Sequence, residues 1–154
     1  MIAGSSASTV ENGALSTTTT GFALVRYQTD GSLDSVFGDG GRVLTEFDDL
    51  DEHGQRTSEA SALVVQPDGK LVAAGYATAV PRCADSICDA SDLAIARYNS
   101  DGTLDETFGS AGTITSTISD EAEDPIRQPD GKLVVVGTTL GSPTCSSGTT
   151  STGA

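Results

Sequence analysis

Short apolar runs alternate along the chain with polar segments rich in glycine and aspartate. Four of the runs, at 22–27, 71–77, 93–98 and 133–139, are almost continuously apolar, which is typical of strands covered on both faces. Four further runs are more mixed. Together they predict eight short strands, at 22–27, 42–47, 60–66, 71–77, 93–98, 113–118, 123–128 and 133–139.

The chain repeats itself. Residues 22–41 and 93–112 are identical at 10 of 20 positions, at an offset of 71. A second motif, Gln-Pro-Asp-Gly-Lys-Leu-Val, recurs at an offset of 62, so the intervening loop is nine residues shorter in the second copy. Ile2-Ala3-Gly4 matches Ala73-Ala74-Gly75 at the offset of 71. Two motifs that recur in one order indicate a tandem array, and we expect both ends to be cut from a longer one.

Each copy is predicted to build one four-stranded antiparallel blade. Pro-Asp-Gly-Lys between the third and fourth strands of a copy is a tight-turn signal, with proline presetting φ and glycine taking a positive φ. Tandem four-stranded units predict an all-β, propeller-like array. Two blades do not close a ring, so the chain is expected to be an incomplete propeller, either a fragment or a unit that self-associates.

The repeat boundaries divide the chain into five segments. We expect the end of a preceding blade plus a linker at 1–21, blade one at 22–77, a cysteine-containing linker at 78–92, blade two at 93–139, and a Ser/Thr/Gly-rich linker at 140–154. Within the first segment, 4–21 is interpreted as an ordinary inter-blade loop.

The repeated motif resembles a known family. Arg-Tyr-x-x-Asp-Gly-x-Leu-Asp-x-x-Phe-Gly-x-x-Gly, followed by Gln-Pro-Asp-Gly-Lys-Leu-Val-x-x-Gly, is similar to the delta-60 repeat, a bacterial β-propeller domain of unknown function. The resemblance covers 22–77 and 93–139 and implies a propeller-like fold in tandem, often in secreted or surface proteins, with no general reaction. Pro125 and Arg127 depart from the first copy's pattern, so the strand at 123–128 is expected to be short, bulged or at an edge.

Charge excludes one class of partner. Lys and Arg total 8 against 22 Asp and Glu, a formal net charge of −14, which repels nucleic acid. No apolar run approaches the roughly 18 residues of a membrane helix. No signal peptide is visible, so the extracellular or cell-surface location that the resemblance implies requires a signal upstream of Met1.

Three cysteines fall in the predicted linkers. Cys83 and Cys145 occupy the same position in successive linkers, and Cys88 follows Cys83 by five residues. We favour a Cys83–Cys88 disulfide over free thiols, with Cys145 left without its partner. A metal site remains an alternative, although no histidine or further cysteine completes a tetrahedral set nearby in sequence.

Acidic side chains recur around the Asp-Gly turns. Alternating oxygens around a glycine are suited to Ca²⁺, the one candidate cofactor in this sequence, but the closing glutamate of an EF-hand loop is missing here. The preferred interpretation is structural, with Asx turns and turn caps. The residues concerned are Asp30, Asp34, Asn99, Asp101 and Asp105.

Two other features are binding candidates. Arg26-Tyr27 and Arg97-Tyr98 end the first strand of each copy and suit a sugar or peptide site, although pairing of the arginine with a turn aspartate and packing of the tyrosine are favoured. The run 46–53 holds five acids and His53, and it suits either a cation site or a solvated insertion.

No catalytic residues are predicted, because the nucleophile elbow and the phosphate loop of common enzymes are missing and the chain has a single histidine to serve as a base. The leading hypothesis is a non-enzymatic scaffold for display or binding, with neighbouring blades of a parent chain or further copies as partners. A lectin-like ring of two-blade chains and a fragment of a polysaccharide-acting enzyme are the alternatives. A carbohydrate or protein ligand is compatible with the first two hypotheses.

Overall fold

The computed structural model describes residues 2–12, 15–47, 57–78, 91–116 and 121–138, which form nine strands and no helix. The strands are β1 (Ile2–Asn12), β2 (Leu15–Val25), β3 (Arg42–Thr45), β4 (Ser58–Val65), β5 (Leu71–Thr78), β6 (Ser91–Tyr98), β7 (Thr113–Ser116), β8 (Glu121–Arg127) and β9 (Leu133–Thr138). Within these ranges there is accordingly no helix with the length and apolar character that a membrane span needs.

The strands form three antiparallel sheets. The first sheet has the order β1-β2-β3, the central sheet β4-β5-β6-β7, and the third sheet β8-β9. All eight predicted strands are present, and the all-β fold of an incomplete propeller is confirmed.

The grouping of strands into sheets differs from the prediction. The four strands of the first copy do not form one sheet, because β2 and β3 lie in the first sheet while β4 and β5 lie in the central one. There β5 pairs with β6 of the second copy over eight residue pairs, from Leu71↔Tyr98 to Thr78↔Ser91. A tandem repeat defines the order of its strands but not where one sheet ends. The division of the chain into five segments, at 1–21, 22–77, 78–92, 93–139 and 140–154, is based on the repeat alone and stays a prediction.

Residues 4–21 were expected to form an inter-blade loop. For the described residues of this segment the prediction is wrong. They belong to a long hairpin in which β1 pairs with β2 from Ile2↔Val25 to Asn12↔Leu15. The segment is rich in threonine, whose branched β-carbon favours extended backbone, although its polarity is typical of a linker.

The Pro-Asp-Gly-Lys turns have the predicted geometry in both copies. The Gln66 N–H donates to the carbonyl of Lys70 at 2.8 Å, and the Gln128 N–H donates to that of Lys132 at 2.8 Å. Gly69 and Gly131 have φ values of 85° and 91°, a region that other residues rarely adopt.

The strand that contains Pro125 lies at a sheet edge and carries a register shift between Ala122 and Asp124, as predicted. The shift also occurs in β4, between Ala60 and Ala62, where there is no proline. The bulge therefore belongs to the repeat, and Pro125 is tolerated because it stands in an edge strand.

The central sheet is covered on both faces. One face packs Ala73, Ala96 and Tyr98 against Phe22 and neighbouring side chains of the first sheet. The other face packs a smaller cluster of β5 and β6 residues against Leu133 and Val135 of the third sheet. Alanines on the inner strands let the sheets approach closely, so the three sheets stack as successive blades.

Candidate functional site

The Asp-Gly turns are built by the aspartates themselves. Oδ1 of Asp30 accepts bonds from the N–H of Ser32 at 2.9 Å and from its hydroxyl at 2.7 Å. Oδ1 of Asp101 accepts the same pair of bonds from Thr103, at 2.9 and 2.7 Å. These bonds lower the pKa of both carboxyls, and the bond from the side-chain hydroxyl has the larger effect. The geometry is that of an Asx turn, as the structural interpretation predicts.

Asp105 is the centre of an ionic network in the central sheet. Its Oδ2 accepts bonds from Nζ of Lys70 at 2.6 Å and from Nε of Arg97 at 2.7 Å. Its Oδ1 accepts a bond from the hydroxyl of Thr107 at 2.6 Å. The pKa of this carboxyl lies well below its usual range, chiefly because of the Lys70 ammonium and then the Thr107 hydroxyl.

Asn99, another calcium candidate, also stabilises its own turn. Its side-chain amide donates to the hydroxyl of Thr103 at 3.0 Å and to the carbonyl of Leu104 at 3.3 Å. These two bonds stabilise the loop between β6 and β7.

Both candidate arginines are held by aspartates and aromatic rings. Nε of Arg26 donates to Asp34 at 2.7 Å, as that of Arg97 does to Asp105. Each guanidinium also lies over a phenylalanine ring. The distance from Cζ to the ring centroid is 4.4 Å for Arg26 and Phe37. It is 4.5 Å for Arg97 and Phe108. Such stacking is a cation–π interaction that fixes the plane of the guanidinium.

Arg26 additionally joins two blades. Its Nη1 donates to the backbone carbonyl of Ser100, in the loop that follows β6 of the central sheet, at 2.5 Å. Beside it, the Gly38 N–H donates to the carbonyl of Asp101 at 2.7 Å. These contacts attach the loop of the first sheet to the next Asp-Gly turn.

The two candidate tyrosines have opposite environments. Tyr98 is fully buried, and its hydroxyl donates to Oγ1 of Thr45 in the first sheet at 2.8 Å. Burial raises the pKa of Tyr98 to about 12. Tyr27, at the same place in the first copy, is 46% exposed. Tyr98 is therefore a packing residue and unavailable to a ligand, which corrects its place among the binding candidates, whereas Tyr27 remains accessible.

The described residues contain no group of three or more His, Cys, Asp or Glu side chains that could hold a metal ion. Residues 48–53 of the acidic run and all three cysteines, with the predicted Cys83–Cys88 disulfide, lie outside the described residues.

A pocket opens on the β2–β3 pair. Its lining is mainly apolar and consists of Ala23, Leu24, Val25, Asp39, Arg42, Val43 and Leu44. Neither Arg26 nor Tyr27 lines it. The pocket therefore does not coincide with the predicted sugar or peptide site.

Lys70 is the residue that sequence reasoning missed in this network. The chain has two lysines, Lys70 and Lys132, and both stand in the Pro-Asp-Gly-Lys turn. A lysine that recurs in a lysine-poor, acidic chain is a signal for a specific carboxylate partner.

The family model described as a domain of unknown function, DUF5122, beta-propeller, matches residues 1–37, 66–108 and 128–146, more than half of the chain. No curated protein and no solved structure matches the chain.

Proposed function

Because the chain belongs to the DUF5122 beta-propeller family, whose function is unknown, we propose that it is a non-enzymatic scaffold segment of a secreted or cell-surface bacterial protein. Its blades would hold rim loops for display or for binding a protein or carbohydrate. Neighbouring blades, in the same parent protein or in further copies, would be its partners.

One observation carries the proposal: the charged groups that recur in both copies are engaged in folding contacts. Asp105 binds Lys70 and Arg97, and Arg26 binds Asp34 and the next blade. A carboxylate that is held by two cations and depressed in pKa is a poor general acid near neutral pH. The repeated motif therefore supports a structural role, and it leaves specificity to the loops that differ between copies.

The loop after β3 is where the two copies differ most. The first copy has nine more residues between its second and third strands than the second copy has. Deletion of residues 48–56 should leave the β-type circular dichroism spectrum intact and the melting temperature within a few degrees, because the second copy connects the same two strands with the shorter segment. A deletion variant that unfolds would contradict a display role for this loop.

An enzymatic role is tested by incubating the chain with a panel of polysaccharides and measuring reducing-sugar release. The scaffold proposal expects no release above a heat-denatured control. Turnover that an Asp-to-Asn or Glu-to-Gln substitution abolishes would overturn it and favour the enzyme alternative.

Carbohydrate binding is a second candidate, because Tyr27 presents a half-exposed ring beside Arg26. Exposed aromatic rings provide the flat apolar surface on which sugars stack. Glycan-array binding that is lost in Tyr27→Ala and kept in an Ile126→Ala control, an exposed apolar residue on another sheet, would establish this function.

The proposed secreted location can be tested through the redox state of the cysteines. Under the proposed secreted location, Cys83 and Cys88 form a disulfide in an oxidising environment. Chain produced in a bacterial periplasm should be about 2 Da lighter than the reduced chain by intact mass. Peptide mapping should place the bond between these two cysteines, and free thiols at both positions would count against this location.

A further inference from the structure

The chain contains five Asp-Gly dipeptides, which share one latent chemical reaction. They begin at Asp30, Asp39, Asp68, Asp101 and Asp130. In such a pair the backbone nitrogen of the glycine can attack the aspartate side chain, because glycine has no Cβ to hinder the approach. The product is a cyclic imide, which opens to aspartate or to isoaspartate. In a folded chain the reaction depends on whether the glycine N–H and the carboxyl are held by other groups.

Four of the five pairs lie in turns that hold both groups. In each of them the glycine N–H donates to the carbonyl of the residue three positions before it, at distances between 2.9 and 3.1 Å. In each, Oδ1 of the aspartate accepts a bond from the N–H two positions after it. A nitrogen fixed in a hydrogen bond and a carboxylate fixed in an Asx turn are both restrained from closing the ring. These four pairs are Asp30-Gly31, Asp68-Gly69, Asp101-Gly102 and Asp130-Gly131.

The same turns keep three of these carboxyls ionised. The pKa values of Asp30, Asp101 and Asp130 are lowered, chiefly by a hydrogen bond from the side chain two positions further on. Ring closure expels the carboxyl hydroxyl as water and therefore proceeds from the protonated acid. A lowered pKa reduces the population of that form and protects these turns further.

The pair Asp39-Gly40 lies in a turn of another kind. The Asp39 N–H donates to the carbonyl of Arg42 at 2.8 Å, and the Arg42 N–H returns a bond at 3.1 Å. Gly40 and Gly41, with φ values of 56° and 96°, are thus the central residues of a two-residue hairpin turn. Within the described part of the chain, the Gly40 N–H has no acceptor and the Asp39 carboxyl has no donor.

This turn is also open to water. Asp39 is exposed, and a Cβ added at Gly40 would meet no atom within 4 Å. The attacking nitrogen, the carboxyl and the water that opens the imide are therefore accessible at one place. None of the other four pairs combines these properties, because their glycine nitrogens are all hydrogen-bonded.

We propose that Asp39 is the site at which the folded chain isomerises spontaneously to isoaspartate. The Gly40 nitrogen forms a bond to Cγ of Asp39, while its proton and the carboxyl hydroxyl leave as water. Water then opens the imide at one of its two carbonyls. Opening at Cγ restores aspartate, and opening at the backbone carbonyl leaves the chain running through the side-chain carboxyl. The composition is unchanged, and no oxidant or reductant is needed.

The modified turn lies beside a contact between two sheets. Gly38, directly before Asp39, donates its N–H to the carbonyl of Asp101 at 2.7 Å and forms a bridge with Arg42. Isoaspartate adds a methylene to the backbone between the two residues of this bridge. We therefore expect the isomerised chain to melt at a lower temperature than the unmodified chain. This inference is independent of what the rim loops display or bind.

The second copy provides a matched turn without the reactive pair. Ser110 and Ala111 occupy the positions of Asp39 and Gly40. The Ser110 N–H donates to the carbonyl of Thr113 at 2.8 Å, and the return bond is 3.1 Å, as in the first copy. Ala111 has a φ of 50°, close to that of Gly40. We therefore expect Asp39→Ser and Gly40→Ala to keep the turn.

The test is to incubate the folded full chain at physiological temperature for several weeks and to map isoaspartate by peptide. Chymotrypsin cleaves after Phe37 and so places Asp30 and Asp39 in different peptides. An isoaspartyl peptide keeps its mass, changes its retention time and is identified by electron-transfer fragmentation. We expect severalfold more isoaspartate at Asp39 than at any other Asp-Gly pair. Reaction at Asn12-Gly13, whose glycine lies outside the described residues, is distinguished by the mass change of deamidation.

The unfolded chain is the control for sequence alone. In concentrated urea the turns are lost, and all five Asp-Gly pairs should react at similar rates. Equal rates at the five pairs in the folded chain would overturn the proposal. So would an Asp39 that stays unmodified in the folded chain while it reacts in urea.

Two variants then test the chemistry at the turn. Asp39→Ser should remove the isoaspartate signal from its peptide. Gly40→Ala should slow the reaction severalfold, because its Cβ hinders attack by the neighbouring nitrogen. Circular dichroism spectra that match the wild type establish that both variants fold. An unchanged rate in folded Gly40→Ala would contradict attack by the Gly40 nitrogen.

Discussion

At the scale of single residues, Tyr98 and Tyr27 test how far a shared motif determines a shared role. Tyr98→Phe leaves Thr45, itself 5% exposed, without its buried partner, and should lower the free energy of unfolding by about 1–2 kcal/mol. Tyr27→Phe is the matched control and should have almost no effect. Urea denaturation of the three proteins measures the difference. Equal effects at the two positions would show that the Tyr98–Thr45 hydrogen bond contributes little.

The same tyrosine predicts a response to alkaline pH. Its folded pKa of about 12 lies above the unfolded value of 10.0, so the unfolded chain loses the proton first. The contribution of Tyr98 is fully present below pH 10 and decreases as the pH rises from about 10 to about 12. Unfolding free energies measured from pH 9 to 11 should fall less steeply in Tyr98→Phe than in the wild type. Parallel curves would contradict this assignment.

Asp105 predicts the opposite response, at acid pH. Its folded pKa is depressed below the ordinary value of 3.8, so its contribution is present above that value and is lost as the pH falls through the folded pKa. Lys70→Met removes the largest cause of the depression and should flatten the fall of the melting temperature below about pH 4. Lys132→Met, at the same motif position, removes the main cause of the lowered pKa of the exposed Asp130, and it should flatten the slope less than Lys70→Met does.

The sequence alone identified Arg97 and Asp105 in the ionic network, but not the more distant residues that contact it. The pairing of the arginine with a turn aspartate was favoured from the sequence, because a short-range spacing suffices to suggest it, and both pairs are present. Packing of the tyrosine was also favoured, and Tyr98 is buried. The role of Lys70 and the Thr45 partner of Tyr98 were missed, since each depends on a contact with a residue more than thirty positions away. Two copies of one motif cannot reveal that only one of them is covered by a neighbouring sheet.

At the scale of elements, Gly75 tests the bulge that β4 and β5 share. A Cβ added there would lie 1.9 Å from the carbonyl oxygen of Glu59, next to the register shift. Gly75→Ala should therefore destabilise the chain by about 1–3 kcal/mol through overpacking. Gly31→Ala, which has open space and a φ of 87°, measures the cost of backbone conformation alone. Similar thermal shifts for the two variants would rule out the close approach as the cause.

Strands were predictable from this sequence, and their sheets were not. Apolar runs and turn signals located the end of β2 and all of β3 to β9, because both are local properties of the chain. The pairing of β5 with β6 joins strands separated by a long connection, which no local signal reports. The β1–β2 hairpin was missed for another reason: its serines and threonines are common in loops, while its ladder depends on the full register from Ile2 to Val25.

At the scale of the whole molecule, the net charge of −14 on 154 residues means that repulsion among the carboxylates destabilises the folded chain. The Debye length falls from about 30 Å at 0.01 M salt to about 3 Å at 1 M, so salt should screen this repulsion. The partly buried Lys70–Asp105 pair is screened less than the exposed carboxylates. We therefore expect the melting temperature to rise from low salt to 1 M NaCl. The double variant Asp39→Asn, Glu106→Gln removes two exposed charges and should show a smaller rise. A melting temperature that falls with salt would mean that specific ion pairs outweigh the net charge.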